Sequence, residues 1–132
     1  MDRRTLLLSG TAALAASTLP ALAQSNGDIK IGFTYPLSGN SAQIGVDAQR
    51  AFETAAEIIN NNYDFNLPLA KGTGLPGLGG AKIQLIFADH QSDPQKGRAE
   101  AERLITQEKV CAIIGTYQSA VAVTIRDRKS NV

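Results

Sequence analysis

The stretch that decides the fold runs from Ile29 to Asn61 and reads IKIGFTYPLSGNSAQIGVDAQRAFETAAEIINN. The opening residues of this stretch alternate between apolar and polar side chains, which predicts a strand over residues 29–34. Residues 36–41 (PLSGNS) have the composition of a loop. From Ala42 to Asn61 the apolar residues recur at steps of three and four, which predicts a helix with one buried stripe. The stripe comprises Ala48, Ala51, Phe52, Ala55, Ile58 and Ile59.

The same strand-to-helix pattern occurs a second time. Residues 81–88 (AKIQLIFA) predict a second strand. Asp93 is a good N-cap for the next helix, and Pro94 suits its first position, where a missing N–H does no harm. This helix is expected to continue to about Glu108. The residues expected on its buried face are Gly97, Ala101, Leu104 and Ile105.

A third unit completes the pattern. Residues 110–114 (VCAII) have the composition of a buried parallel strand, Gly115 ends it, and a third helix is expected near Ser119. Strands that alternate with helices predict the α/β class, with a parallel sheet and helices on both faces.

The N-terminus has the features of an export signal. Arg3 and Arg4 precede an apolar stretch rich in small residues, which ends in an A-x-A cleavage site, Ala21-Leu22-Ala23. We therefore expect residues 1–23 to be a cleaved signal peptide. The stretch is shorter than a typical membrane anchor, which is the alternative interpretation. The arginine pair also resembles a twin-arginine signal, and the general secretory route stays open.

Composition excludes several classes of function. The chain has 132 residues and a net charge of +1 at pH 7, without the basic stripe that nucleic-acid binding requires. His90 is the only histidine, so no His-based metal cluster or triad can be built from these residues. No enzyme, metal or cofactor is predicted. Asp89 and His90 are interpreted as a solvated loop pair or as the rim of a cleft, and Cys111 as a small buried hydrophobe.

Residues 72–77 match G-x-G-x-x-G literally. A dinucleotide site needs that motif between a strand and a helix, so that helix N–H groups meet the pyrophosphate. Here the motif follows a loop and precedes a strand, and Pro76 removes one amide. We therefore interpret the segment as a surface loop.

Ser119 is a more informative residue. It follows the third strand by a short loop and is expected to open a helix, where a hydroxyl lies beside free N–H groups and the positive end of the helix dipole. Such a position can hold a carboxylate. A plain N-cap is the alternative interpretation.

Four stretches together resemble the type I periplasmic solute-binding proteins of ABC importers, in the Leu/Ile/Val (branched-chain amino acid) class. They are residues 31–45, the helix from Ala48 to Asn60, Asp89 with residues 93–96, and residues 110–120. The resemblance covers nearly all of the chain after the signal, to about Thr124. It implies two α/β lobes joined by a hinge, strand order 2-1-3 in the first lobe, and a solute held between the lobes.

The resemblance also implies a function and a site. The function is extracytoplasmic capture of an amino acid or a similar small carboxylate or amide, and its delivery to the membrane permease of an ABC transporter. The implied ligand contacts are Ser119, Tyr117, Gln118, Ala120 and Ile44. A sensory or regulatory domain of the same fold and an exported α/β enzyme are the alternatives.

The last residues break the amphipathic pattern, because residues 126–132 (RDRKSNV) are charged or polar up to the final Val132. The expectation is a truncation or a frame error, with a genuine surface helix end as the alternative. Residues 24–132 are accordingly interpreted as part of an N-terminal lobe. Such a fragment is expected to be non-functional alone, since it buries little apolar surface against its chain entropy.

Overall fold

A computed structural model describes residues 27–129, and the side chains of residues 127–129 are not considered. The predicted signal peptide lies outside the described residues. The strands are β1 (Ile29–Tyr35), β2 (Ile83–Asp89) and β3 (Ala112–Ile114). The helices are α1 (Ala42–Asn60), α2 (Pro94–Thr106) and α3 (Ser119–Lys129). A short 3-10 turn spans Pro76–Leu78.

The three strands form one parallel sheet in the order β2-β1-β3, which confirms the expected topology. The pairing of β1 with β2 runs from Ile29 opposite Ile83 to Tyr35 opposite Asp89. On its other side, β1 pairs with all of β3, ending at Phe33 opposite Ile114. Because the strands are parallel, the loops that follow all three lie at the same, carboxyl-terminal edge of the sheet.

Helices cover both faces of the sheet, as predicted. Successive residues of a strand point to opposite faces. Phe33 is fully buried on one face, with its ring centroid 4.1 Å from that of Phe52 in α1. Gly32, its neighbour in β1, turns to the other face and meets Leu104 of α2. α3 packs on α2, so the architecture has three layers: α1, the sheet, and α2 with α3.

The start of α2 agrees with its sequence pattern. One carboxylate oxygen of Asp93 accepts the N–H groups of Gln95 at 2.7 Å and Lys96 at 3.1 Å. These are two of the N–H groups that a helix start leaves without a helical partner. The helix ends at Thr106, slightly before the predicted Glu108. Its predicted face is confirmed, with Gly97, Ala101 and Leu104 buried and Ile105 half-buried.

The stripe of α1 was predicted only in part. Ala48, Phe52, Ile58 and Ile59 are half-buried and Ala51 and Ala55 are exposed, whereas Ala56, outside the predicted stripe, is buried. The reason is the placement of the helix over β2, which leaves part of its apolar face uncovered. An open apolar groove of about 230 Å³ lies there, lined from the helix by Phe52, Ala55, Ala56 and Ile59 and from the sheet by Ile31, Ile83, Leu85 and Ile114.

The Gly-rich segment does not open an α-helix, which agrees with its interpretation as a surface loop. It folds back on itself through an isolated antiparallel bridge between Leu75 and Ala81. This bridge explains why β2 begins at Ile83 and not at the predicted Ala81. The Asn60 side chain fixes that start, because it accepts the N–H of Ile83 and donates to its carbonyl, each at 2.7 Å.

The prediction that Cys111 is buried was wrong. Cys111 is exposed, and β3 begins one residue later. Its N–H still donates to the carbonyl of Lys30 at 2.9 Å, so the backbone is attached to the sheet. Within residues 27–129, however, β3 pairs only with β1, and no strand covers its outer side. Within the same range, no helix combines the length and the apolar character that crossing a membrane requires.

Candidate functional site

The candidate site lies at the carboxyl-terminal edge of the sheet, between β1 and β3. The chain leaves β1 for α1 on one face and leaves β3 for α3 on the other. The two connecting loops therefore leave the sheet toward opposite faces, and open α/β sheets bind ligands beyond the strand ends at such a point. We refer to residues 36–41 as the first loop, residues 90–93 as the second loop and residues 115–118 as the third loop.

The first loop is held tightly against the start of α1. A Cβ on Gly45 would lie 2.0 Å from the carbonyl oxygen of Pro36, so only glycine permits this approach. Within the loop, the N–H of Ala42 donates to the carbonyl of Gly39 at 3.1 Å. Ile44, in the first turn of α1, is 40% exposed. The structure thus presents Ile44 on the surface beside the first loop.

The third loop is held against the end of β1. Gly115 has a φ of 133°, and a Cβ there would lie 2.0 Å from the carbonyl oxygen of Thr34. Beyond it, the Thr116 hydroxyl donates to the carbonyl of Gln118 at 2.8 Å. Tyr117 is 54% exposed, so its ring faces outward from the loop. The third loop therefore begins directly against the end of β1, the strand that leads into the first loop.

Ser119 is the first residue of α3, as predicted from the sequence, and both it and Ala120 are exposed. The first N–H groups of a helix have no helical acceptor and carry the positive end of its dipole. The N–H of Ala122 already donates to the carbonyl of Gln118 at 3.1 Å. Ser119 thus combines an accessible hydroxyl with a helix start, the arrangement that suits a carboxylate.

Gln118 differs from the other candidate residues, because it is half-buried and turned toward the second loop. Its side-chain amide donates to the hydroxyl of Ser92 at 2.7 Å. Sequence reasoning missed Ser92. The available signal was the polar run Gln91-Ser92-Asp93 directly after a strand, but only Asp93 had a recognisable role there.

Asp89 joins the first and second loops. One of its carboxylate oxygens accepts the N–H of Leu37 at 2.8 Å and that of Gln91 at 2.9 Å. Burial alone would raise the pKa of Asp89. Hydrogen bonds from the Ser38 hydroxyl and from the N–H groups of Gln91, Leu37 and Ser38 outweigh that effect, so the pKa is lowered. The carboxylate is therefore ionised at neutral pH.

The interpretation of Asp89 and His90 as a solvated pair was wrong. His90 is fully buried, and its Nδ1 accepts the N–H of Ser92 at 3.1 Å. It lies beneath the α2–α3 contact, where the position of a Gly97 Cβ is 3.6 Å from the His90 Cβ. Burial lowers the pKa of His90, and the charge of Asp89 opposes this only in part. His90 is neutral at pH 7.

Three buried polar side-chain atoms have no hydrogen-bond partner among the described residues: Thr34 Oγ1, His90 Nε2 and Gln118 Oε1. They belong to the ends of β1, β2 and β3, respectively, or to the loops that follow. The interior of this sheet edge is therefore polar. Across residues 27–129, no group of three or more His, Cys, Asp or Glu side chains is placed to hold a metal ion.

Comparison with known proteins identifies the family. Residues 28–131 match the family described as "Periplasmic binding protein". The chain belongs to this family. It is 40% identical over 123 residues to the Leu/Ile/Val-binding protein homolog 7 of Brucella suis, a match that covers 93% of this chain and 26% of that protein. It is 33% identical to an amino acid binding protein of Pseudomonas aeruginosa, covering 89% of this chain and 28% of the relative.

Solved structures of periplasmic binding proteins share the fold. One is the branched-chain amino acid substrate-binding protein LivJ of Streptococcus pneumoniae in complex with isoleucine. It matches with a TM-score of 0.63 and 26% identity, over 79% of this chain and 26% of that one. Another is a solute-binding protein of Rhodopseudomonas palustris in complex with benzoate, with a TM-score of 0.61 and 25% identity, over 80% and 25% of the two chains. The chain thus spans about a quarter of the length of the relatives it matches.

Proposed function

We propose that the protein captures a small solute bearing a carboxylate, an amino acid or an aromatic acid, for import by an ABC transporter. The observation that carries the proposal is Ser119. Its hydroxyl is exposed at the first residue of α3, at the edge of the sheet where the loops after β1 and β3 leave toward opposite faces. A helix start at such a point is a natural anion site. The ligands bound in two related structures, isoleucine and benzoate, both carry a carboxylate.

The proposed contacts divide by chemistry. The solute carboxylate accepts hydrogen bonds from the Ser119 hydroxyl and from N–H groups at the start of α3. The remainder of the solute lies over the exposed side chains of Tyr117, Ala120 and Ile44, while Gln118, whose side chain is turned toward the second loop, holds the third loop in place. A second lobe closes over the solute by a hinge motion, and the permease recognises the closed form.

The proposed role is binding and release, without a chemical step. The family consists of binding proteins, and the site described here offers hydroxyl and amide donors for an anion. The solute is therefore expected to leave unchanged. Incubation of protein with each solute, followed by mass spectrometry of the solute, checks this point, and any turnover would contradict it.

The test uses a hybrid protein, because the chain spans about a quarter of its relatives. In the hybrid, residues 24–132 replace the matching segment of the Brucella suis homolog. Calorimetry measures binding of isoleucine, leucine, valine and benzoate, with the unaltered homolog as the reference. Isoleucinamide, which lacks the carboxylate, serves as the matched ligand control. Binding of a carboxylate and not of its amide supports the proposed site, and no binding of any probe refutes the proposed function.

Ser119→Ala tests the residue itself. Hydrogen bonds to charged groups contribute about 1.5–3 kcal/mol, so the carboxylate ligand should bind roughly ten- to a hundred-fold more weakly. Thr106→Ala is the control. Thr106 is exposed at the C-terminal end of α2, away from the second loop, and its hydroxyl donates to the carbonyl of Glu102 in the same helix at 2.7 Å. The control should bind like the parent. Equal affinity of the Ser119→Ala hybrid and its parent would remove Ser119 from the site.

We also propose that the protein acts outside the cytoplasm after cleavage of residues 1–23. The family name and the sequence features of the N-terminus support this location. Expression of the chain with its own N-terminus, followed by fractionation, should place it in the periplasm with Gln24 as the first residue. An intact N-terminus in the membrane fraction would favour the anchor interpretation instead. Replacement of both Arg3 and Arg4 by Lys distinguishes the two export routes. Only a twin-arginine signal needs the guanidinium pair, so export by that route should be lost, whereas general secretory export should persist.

A further inference from the structure

We propose that the second loop, together with Asp89 at the end of β2, positions the ligand-binding residues: Asp89 ties the second loop to the first loop, Ser92 ties it to the third loop, and His90 is the buried support. The inference rests on the proposed function, because it assigns indirect roles to residues that do not themselves touch the solute. Asp89, His90 and Ser92 are positioning residues. The expected consequence is that a change in this loop alters affinity for the solute while the fold stays intact.

The first tie runs from the second loop to the first. The Asp89 carboxylate accepts N–H groups from both loops, from Leu37 at 2.8 Å and from Gln91 at 2.9 Å. A single carboxylate thus fixes the distance between the two backbones. Because the carboxylate is charged, these bonds are stronger than bonds between neutral groups.

The second tie runs from the second loop to the third. The Ser92 hydroxyl accepts from the Gln118 side-chain amide at 2.7 Å, across 26 residues of sequence. Gln118 immediately precedes Ser119, so this bond acts one residue before the proposed carboxylate anchor. No other side-chain hydrogen bond recorded in the described part of the chain joins these two loops.

The buried support is His90. Its Nδ1 accepts the N–H of Ser92 at 3.1 Å, which orients the Ser92 side chain toward Gln118. His90 itself is fully buried beneath α2 and α3. His90 therefore positions Ser92, Ser92 positions Gln118, and Gln118 positions the start of α3.

The backbone geometry supplies a sharp test. Gln91 and Ser92 both have left-handed conformations, with φ of 52° and 61°, and glycine adopts such φ values at lower cost than other residues. Ser92→Gly therefore removes the hydroxyl and relieves backbone strain at the same time. A purely structural residue would change stability and affinity in the same direction. For this variant we expect an unchanged or higher melting temperature together with weaker binding.

Gln91→Gly is the matched control. It relieves the same strain at the adjacent residue and removes only an exposed side chain that contacts Lys96. The bond between Ser92 and Gln118 stays in place. A net hydrogen bond of ordinary strength, about 1 kcal/mol, changes the binding-competent fraction by about five-fold, and apparent affinity follows that fraction. Solute should bind about five-fold more weakly to Ser92→Gly and within two-fold of the parent to Gln91→Gly.

A second readout works without solute. Amide hydrogen exchange of the ligand-free hybrid should be about five-fold faster over residues 115–119 in Ser92→Gly than in the parent or in Gln91→Gly, because a lost bond lowers the local opening cost. Unchanged exchange in Ser92→Gly, or equal acceleration in both variants, overturns the inference. If exchange changes as expected but no probe binds, the tie between the loops stands and the proposed function is what fails.

Discussion

α3 packs on α2, and Gly97 lies where the two helices approach closely. A Cβ added at Gly97 would lie 2.3 Å from Cγ1 of Val121, which is fully buried. Ordinary contact between carbon atoms needs about 3.5–4.0 Å. Gly97→Ala therefore forces an opening of roughly 1.2–1.7 Å between the helices, and α3 carries Ser119 at its start.

The expected cost follows from two opposing effects. Overpacking a buried contact costs about 1–3 kcal/mol. Replacing a helical glycine by alanine returns about 0.5–1 kcal/mol. The net destabilisation is about 1 kcal/mol, which lowers the melting temperature of the hybrid by about 2–4 °C. Ala99→Gly, at an exposed position of the same helix, measures the glycine effect alone.

A double-mutant cycle isolates the contact. Val121→Ala removes the methyl groups that the new Cβ would meet, so Gly97→Ala should cost less in that background than in the parent. Differential scanning calorimetry of the hybrid, its two single variants and the double variant measures the coupling. Strict additivity of the four melting temperatures, or a Gly97→Ala variant more stable than the parent, would refute the proposed closeness of α2 and α3.

Two further predictions concern the second loop and the helix that follows it. Asp93→Ala removes the N-cap that accepts two N–H groups of α2 and should cost about 1 kcal/mol, measured by urea unfolding of the hybrid, whereas Asp93→Asn should retain most of the cap. Because folding lowers the pKa of His90 from its ordinary value of 6.5, the unfolded chain takes up a proton at a higher pH than the folded chain does. The contribution of neutral His90 to the free energy of unfolding is therefore complete above about pH 6.5. It is lost as the pH falls from there toward the pKa of His90 in the folded state. Melting temperatures between pH 7.5 and 5.5 should fall more steeply for the parent than for His90→Gln, and parallel slopes would contradict a buried neutral histidine.

The elements and their order could be predicted because local signals agreed with one another. The apolar period changes between strands and helices, and Asp93-Pro94 marks a helix start by backbone chemistry alone. Strand order came from the family resemblance. The interior of α1 was harder, because an apolar period does not reveal which side of its stripe a sheet covers. Ala56 is buried while Ala55 is exposed, although the two residues are adjacent and identical.

The candidate site could be predicted only to the level of loops. Ser119 was found because a hydroxyl at a helix start has a chemical use that is visible in the sequence. The inward turn of Gln118 was not visible, since its partner Ser92 is 26 residues away. The exposure of Cys111 depends on which strands flank β3 within the described residues, and an apolar pentapeptide carries no information about that.

The error over Asp89 and His90 has a specific physical origin. Polar residues after a strand are expected to bond to water, but the backbone of a tight loop competes for the same side chains. The N–H groups of Gln91, Ser92 and Asp93 donate in turn to Asp89 Oδ1, His90 Nδ1 and the His90 carbonyl. Three consecutive donors are thus satisfied by the two residues that the sequence assigned to solvent. Left-handed backbone at two successive non-glycine residues costs of order 1–3 kcal/mol each and persists only where the surroundings over-determine it. The three hydrogen bonds provide that constraint here, so the pair shapes the second loop from within and fixes where Ser92 can meet Gln118.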